Sequence, residues 1–230
     1  MAVAMCHAAA ADGITHMVAT PHANDRYHYD REYLTGLLKH LQELAGESPK
    51  LLLGCDFHLS YDNLEDAYAN PKRYVIGDSR YLLVEFSNFS IPQQTSESFM
   101  KLENCGMTPV ITHPERNPIL RKDLQRVLEW AEQGCVVQVT GSALTGFWGE
   151  PSRRAAQWLL EHQAVHVLAT DAHETQKRVP ILSSAREAAA EVCGREVAEA
   201  MVEANPRAII TNQKSLPYFP QPVMKNYRKN

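Results

Sequence analysis

The sequence predicts a parallel α/β fold of the barrel type. Three observations support this class: six short apolar runs occur along the chain, each run stops at a polar residue, and helical patterns fill the gaps. The polar residues that end the runs are 34, 29, 28, 27 and 31 positions apart, about the length of one strand–helix unit. Six or more such units favour a barrel, in which all strands end at one mouth that carries the active site.

The six runs are nearly continuous in apolar residues, as in strands that are buried on both faces. They are Ile14 to His22, Lys50 to His58, Arg80 to Phe86, Thr108 to Arg116, Cys135 to Ser142 and Ala164 to His173. The polar residues that end them are His22, Asp56, Glu85, His113, Thr140 and Asp171. An open doubly wound sheet is the alternative, but it would bring these six strand ends together less directly.

Helices are predicted between the strands. The segment from Arg31 to Leu44 carries leucines at helical spacing, and the segment from Leu120 to Gln133 stops before Gly134, a suitable C-cap. The alanine-rich N-terminus is interpreted as a helix that ends at Gly13. Further helices are predicted at Ser152 to His162, Leu182 to Cys193 and Glu196 to Glu203.

Length and composition describe an ordinary globular chain. Its 230 residues suit one domain, placed at 1–215, followed by an extended, proline-rich tail at 216–230. The net charge of −4, without blocks of like charge, argues against a nucleic-acid partner or an anionic membrane surface. No apolar run approaches the roughly 18 residues that membrane insertion needs. The five cysteines are far apart and form no CxxC, so we expect reduced thiols and a cytoplasmic protein.

The run-ending residues are good ligands for divalent metal ions. Four strand ends supply His22, Glu85, His113 and the pair Asp171 and His173, and Asp56 is a further candidate. Each histidine alone could equally be a surface or hydrogen-bonded residue, so the prediction depends on the whole set. Mixed imidazole and carboxylate ligands suit zinc, manganese or iron. Two such ions close together can activate a hydroxide and hold a phosphoryl group.

Arginines complete the phosphate chemistry. Arg116 lies three residues after His113, and its planar guanidinium matches phosphate oxygens bidentately. Arg178 has two interpretations, a substrate contact or a side chain that faces water. The sequence contains no GxGxxG, P-loop or GxSxG motif, which argues against a nucleotide cofactor and a serine nucleophile.

Four motifs resemble the polymerase-and-histidinol-phosphatase (PHP) superfamily, and in particular its bacterial tyrosine-protein phosphatases of capsular and exopolysaccharide synthesis. The motifs are ATPH (19–22), DSRYLLVEF (78–86), ITHPERN (111–117) and ATDAH (169–173). The resemblance implies a distorted seven-stranded βα barrel, similar to a TIM barrel, with up to three metal ions, usually manganese. It also implies that a metal-bridged hydroxide hydrolyses phosphotyrosine on a bacterial tyrosine autokinase.

Carried over by motif, the resemblance assigns metal ligation to His22, Glu85, His113, Asp171 and His173. It implies that Arg116 binds phosphate, and it gives the catalytic set as Arg116, Asp171 and His173. Arg178 is kept as a candidate for substrate binding. Relatives usually carry glutamate where this chain has Asp56, so a metal ion there would be held by a shorter side chain.

A second departure concerns the first strand. Relatives begin with a strand that ends in His-x-His, whereas this sequence begins on the helix that follows it. We therefore expect the first barrel strand to be missing and the site to hold fewer metal ions. Two alternatives stay open beside the tyrosine phosphatase. One is a phosphoesterase that acts on a small phosphomonoester such as histidinol phosphate, or on a nucleic-acid end. The other is a metal-poor, non-catalytic binding protein. The sequence predicts no oligomeric state.

Overall fold

The structure is a computed structural model that describes residues 1–222. The strands are β1 (His16–Ala19), β2 (His22–Ala23), β3 (Lys50–Leu53), β4 (Asp56–His58), β5 (Tyr81–Glu85), β6 (Thr108–Thr112), β7 (Val136–Thr140) and β8 (Val167–Ala169). The helices are α1 (Ala2–Ala11), α2 (Arg31–Ala45), α3 (Tyr61–Ala69), α4 (Thr95–Asn104), α5 (Leu124–Glu132), α6 (Gly141–Leu144), α7 (Glu150–Glu161), α8 (Ser183–Cys193), α9 (Arg195–Glu199) and α10 (Asn205–Ile210).

Every pair of these strands is parallel, and helices alternate with them along the chain. The predicted parallel α/β class is therefore confirmed. The larger sheet has the order β2-β4-β5-β6-β7-β8, and β1 pairs with β3 in a second, two-stranded sheet. Because the described strands form two sheets and not one closed ring, the seven-stranded barrel itself stays a prediction.

The first two predicted strands are each divided into two shorter ones. His16–Ala19 pairs with Lys50–Leu53, and the pairing resumes at His22 opposite Asp56. Pro21 lies in the gap and has no N–H to donate to a ladder. Two backbone bonds still cross this gap, from the Gly54 N–H to the Ala19 carbonyl (2.8 Å) and from the Asp56 N–H to the Pro21 carbonyl (3.1 Å). The division therefore leaves His22 and Asp56 side by side.

Local signals explain where the helices begin and end. Asp30 caps α2 by accepting a hydrogen bond from the Tyr33 N–H (3.0 Å), and the helix ends at Gly46, whose φ of 84° favours glycine. The predicted segment 120–133 begins as a 3₁₀ turn, Leu120–Lys122, before α5. The predicted helix 196–203 was wrong in its details: α9 continues into a π-helical segment, Ala200–Ala204, and then into α10.

An aromatic cluster packs beside the carboxyl end of β5. Phe86 stacks on Trp130 of α5 with ring centroids 5.2 Å apart, and Phe99 of α4 meets Trp130 edge-on at 5.5 Å. All three side chains are buried. Because Phe86 directly follows Glu85, its burial fixes the strand end from which the Glu85 carboxylate projects.

A cavity of about 520 Å³ lies between β1 and β8, with Val18 on one wall and Val167 and Ala169 on the other. Within residues 1–222, β1 pairs only with β3 and β8 only with β7, so each strand has one edge facing this cavity. The cavity extends to Asp56, His113 and Asp171.

The described part of the predicted tail packs against the body of the protein. Leu216 is buried, and the Asn205 side chain exchanges two hydrogen bonds with the backbone of Tyr218. Residues 223–230 of the predicted tail lie outside the described residues, so the boundary at 215 stays a prediction. No helix within residues 1–222 is long and apolar enough to cross a membrane.

Candidate active site

Four of the predicted ligands lie together at the strand ends. His22 begins β2, Asp56 begins β4, Glu85 ends β5 and His113 follows β6. His22 Nδ1 is 3.2 Å from Asp56 Oδ2 and 3.5 Å from Glu85 Oε2, and His113 Nε2 is 3.6 Å from Glu85 Oε1. We call these four residues the ligand cluster.

The charges of the ligand cluster fit a divalent cation. Possible ligand atoms of His22, Asp56 and Glu85 all lie within 4.8 Å of one another. Asp56 Oδ1 is buried and accepts no hydrogen bond, which is costly unless a cation or donor faces it. As acceptors 3.2 Å and 3.5 Å from His22 Nδ1, the Asp56 and Glu85 carboxylates raise the pKa of His22 to about 10. Imidazole nitrogen with carboxylate oxygen is a donor set for borderline divalent metals.

A second group adjoins the ligand cluster. Arg116 and Arg178 both donate hydrogen bonds to Asp171 Oδ2, and Arg178 Nη2 also donates to the Asp171 carbonyl (3.1 Å). Burial opposes ionisation of Asp171, but Arg116 and Arg178 outweigh it and hold its pKa below the ordinary value. We call Arg116, Asp171 and Arg178 the arginine cluster. Arg178 therefore faces the site and not open water.

His173 lies at the outer side of the arginine cluster. Its Nδ1 is 3.8 Å from Asp171 Oδ1, and its side chain is exposed. The structure thus places Asp171 and His173 together, as their spacing predicts, but pairs Asp171 with the arginines and not with the ligand cluster. Asp171 remains near enough to His113 for its charge to raise the pKa of that histidine. Burial, with Arg116 next in strength, lowers it on balance.

The backbone turns sharply at two of the predicted site residues. His113 has a φ of 37° and Asp171 a φ of 48°, both in the left-handed region that non-glycine residues rarely occupy. Such conformations cost on the order of 1–3 kcal/mol and are concentrated at functional sites. His113 directly follows β6 and Asp171 lies two residues after β8, so the chain turns where these side chains enter the site.

The loop after β6 contains two residues that the sequence did not single out. Glu115 is fully buried and accepts a hydrogen bond from the Thr140 N–H (3.0 Å), and burial raises its pKa to about 7. Asn117 donates to the Ser87 carbonyl (3.0 Å) and accepts from the N–H groups of Ile119 (2.9 Å) and Leu120 (3.1 Å). These bonds tie the loop after β6 to its neighbours and hold Arg116 between them. The sequence signal for Glu115 and Asn117 was the polar composition of the motif HPERN (113–117).

Two aromatic residues at the site were also missed. The Tyr27 ring stacks on His22 with centroids 6.0 Å apart. Trp148 lies under both arginines: the central guanidinium carbon is 3.8 Å from the indole centroid for Arg116 and 5.1 Å for Arg178. Neither residue belongs to a periodic pattern, so the sequence alone carried no signal for them.

Fold and site together define an α/β protein with a potential divalent-metal site beside two guanidinium groups that can bind an anion such as phosphate. The chain belongs to the capsular polysaccharide synthesis family CpsB/CapC, whose model matches residues 1–211. The family resemblance of the four motifs is thereby confirmed.

Relatives in this family share most of their length with the chain. CapC of Staphylococcus aureus is 31% identical over 77% of this chain and 71% of CapC. The tyrosine-protein phosphatase YwqE of Bacillus subtilis is 28% identical over 97% of this chain and 89% of YwqE. Among solved structures, the chain is similar to one from the crystal structures of YwqE and of CpsB of Streptococcus pneumoniae, with a TM-score of 0.87. Those two proteins are described as unique metal-dependent tyrosine phosphatases. The matched chain is 26% identical, and the match covers 97% of this chain and 91% of the other.

Proposed function

We propose that this chain is a metal-dependent protein-tyrosine phosphatase of capsule or exopolysaccharide synthesis. The observation that carries the proposal is the proximity of two groups at one cavity: a ligand cluster with an unpartnered buried carboxylate oxygen, and an arginine cluster whose charges act on His113. The names of YwqE and CpsB support the same activity. A hydrolase of this kind needs a metal site for the nucleophile and cations for the phosphate, and the chain offers residues for both.

In the proposed mechanism, His22, Asp56, Glu85, His113, Asp171 and His173 are the residues that would hold divalent ions. Such ions supply Lewis-acid activation of water and stabilisation of negative charge on phosphate. Arg116 and Arg178 bind the phosphate oxygens, since a guanidinium presents parallel N–H donors at the right spacing. Because both arginines hold Asp171 beforehand, phosphate binding exchanges that carboxylate for the substrate.

The finer assignments extend the proposal. We propose manganese as the ion, with up to three in an intact site, and a phosphotyrosine-bearing bacterial tyrosine kinase as the substrate. The cytoplasm is the proposed location, because all five cysteines are free thiols and that compartment keeps thiols reduced. Arg116, Asp171 and His173 form the proposed catalytic set, and Arg178 is proposed to bind substrate.

The test compares the wild-type protein with Glu85→Gln, which removes one charge from the ligand cluster and keeps the shape. We expect manganese to raise the melting temperature of the wild type, because an ion at 100 times its Kd stabilises by about 2.7 kcal/mol. The variant should lose most of this shift. Manganese should also switch on phosphate release from a phosphotyrosine peptide in the wild type only.

The same assay separates the alternatives. Faster turnover of histidinol phosphate than of the phosphotyrosine peptide would replace the protein-phosphatase assignment with a small-molecule one. A wild-type protein that shows no metal-dependent melting shift and no turnover would support the metal-poor binding protein. Hydrolysis of single-stranded DNA ends above both other substrates would point to a nucleic-acid enzyme.

A further inference from the structure

We infer that Trp148 is a positioning residue for phosphate binding: its indole holds the guanidinium groups of Arg116 and Arg178 in the arrangement that receives a phosphoryl group. The inference rests on the proposed function, and it adds a residue that the metal and phosphate chemistry do not themselves require. Trp148 would act through the two arginines and would not contact the reacting atoms.

The first support is that the two arginines share two neighbours, Asp171 and Trp148. Both guanidinium groups bond the single Asp171 carboxylate, and both lie over the Trp148 ring at 3.8 Å and 5.1 Å. Two like charges next to one carboxylate repel each other and leave one positive charge uncompensated. The negative face of an indole attracts both cations, and parallel stacking also fixes the plane of a guanidinium.

The second support is that Trp148 is itself held firmly. Its Nε1–H donates a hydrogen bond to Ser142 Oγ (3.0 Å), and the Phe147 ring meets it edge-on at 5.2 Å. The turn that presents Trp148 is bounded by Gly146 and Gly149, whose φ values of 88° and 81° few other residues tolerate. An indole held by a hydrogen bond and a neighbouring ring can orient the flexible side chains that lie on it.

The third support comes from what substrate binding must change. A phosphate that takes the arginine donors displaces Asp171, so the carboxylate cannot orient the arginines in the substrate complex. The indole attracts the guanidinium groups through its π face and so leaves their N–H donors to the phosphate oxygens. Trp148 is therefore the shared neighbour that can stay in place before and after phosphate binds. It restricts the arginine side chains in advance, so that phosphate binding costs less conformational entropy.

The experiment measures the affinity for inorganic phosphate by calorimetry, together with kcat and KM on p-nitrophenyl phosphate, in metal-loaded protein. Trp148→Leu keeps an apolar side chain and removes the π face. We expect it to weaken phosphate binding and raise KM by about threefold to thirtyfold, the range that cation–π energies give. Trp148→Phe restores an aromatic face and should recover most of the affinity. Bound metal should be unchanged in both variants.

Trp158→Leu is the matched control, because the Trp158 indole stacks on His162 and contacts neither arginine. This substitution also removes an indole ring, but at a different place in the chain, and it should leave phosphate affinity unchanged. A double-mutant cycle with Arg116→Lys gives the sharpest reading: lysine cannot stack as a plane, so Trp148→Leu should cost less in that background.

A folded Trp148→Leu variant with wild-type phosphate affinity would overturn the inference. Equal costs of Trp148→Leu in the wild-type and Arg116→Lys backgrounds would overturn it as well. Loss of affinity in Trp148→Leu that Trp148→Phe does not recover would also overturn it. Because phosphate binding needs no turnover, these outcomes are separate from the failure of the proposed function, in which the wild type binds phosphate but hydrolyses no phosphotyrosine.

Discussion

The two halves of the candidate site have opposite electrostatic states. In the ligand cluster, Asp56 and Glu85 face His22, Glu85 also faces His113, and a buried oxygen of Asp56 has no hydrogen-bond donor. In the arginine cluster, two guanidinium groups surround the single carboxylate of Asp171. The ligand cluster is short of positive charge, and the arginine cluster has an excess of it. A metal ion satisfies the first and a phosphate dianion the second, so the contrast itself describes a phosphoryl-transfer site.

The largest effect on catalysis is expected when the arginine cluster is altered alone. Arg116→Ala should reduce kcat on a phosphotyrosine peptide by about 10²–10³-fold, the usual cost of removing a fixed donor from developing negative charge. Because Arg116 bonds Asp171 and Thr140 and none of the ligand cluster, the manganese that the ligand cluster holds should stay bound. Metal analysis beside steady-state kinetics checks both parts. Loss of metal from Arg116→Ala would show that the two halves are not separate.

Local signals made the ligand cluster predictable from the sequence. His22, Glu85 and His113 each end an apolar run, and parallel strands must bring their carboxyl ends to one edge. The same reasoning gave the parallel sheet and the bounds of α2. These features depend on residue type and period within about ten positions of the chain.

The remaining features depend on contacts between distant segments. Trp148 meets Arg116 across 32 positions of sequence, and no pattern around Trp148 announces that contact. The pairing of Asp171 with both arginines was hidden in the same way, because Arg178 follows it by an irregular loop. Pro21 was visible, but its effect on the sheet required knowledge of its partner strand. Site geometry was therefore less predictable than site composition.

A second prediction tests the charge states through stability in the metal-free protein. Asp171→Asn leaves two part-buried guanidinium groups without their carboxylate, and we expect a loss of about 1–3 kcal/mol in the free energy of unfolding. Asp56→Asn removes the charge of a carboxylate whose Oδ1 has no donor and leaves Glu85 facing His22, so its cost should be the smaller of the two. Urea unfolding of the two variants measures the difference.

Glu150→Gln is the control for that comparison. The Glu150 carboxylate also holds two arginines, Arg153 at 2.9 Å and Arg154 at 2.8 Å, but on the protein surface. Water screens such pairs, so the substitution should leave the unfolding curve unchanged. Equal costs for Asp171→Asn and Asp56→Asn would contradict the idea that the Asp171 carboxylate is fully paired and the Asp56 carboxylate is not.

The smallest effect concerns the proton that His22 carries in the metal-free protein. Its pKa is raised from 6.5 to about 10 by Asp56 and Glu85, so the folded state holds this proton more tightly than the unfolded state. The resulting stabilisation is complete below pH 6.5 and is lost as the pH rises from 6.5 to about 10.

His22→Gln should therefore lower the melting temperature at pH 6 and make little difference at pH 10. His40→Gln, on the exposed face of α2, supplies the control. A His22→Gln deficit that is the same at both pH values would mean that the two carboxylates do not bind the proton, and the charge imbalance that distinguishes the ligand cluster would then be absent.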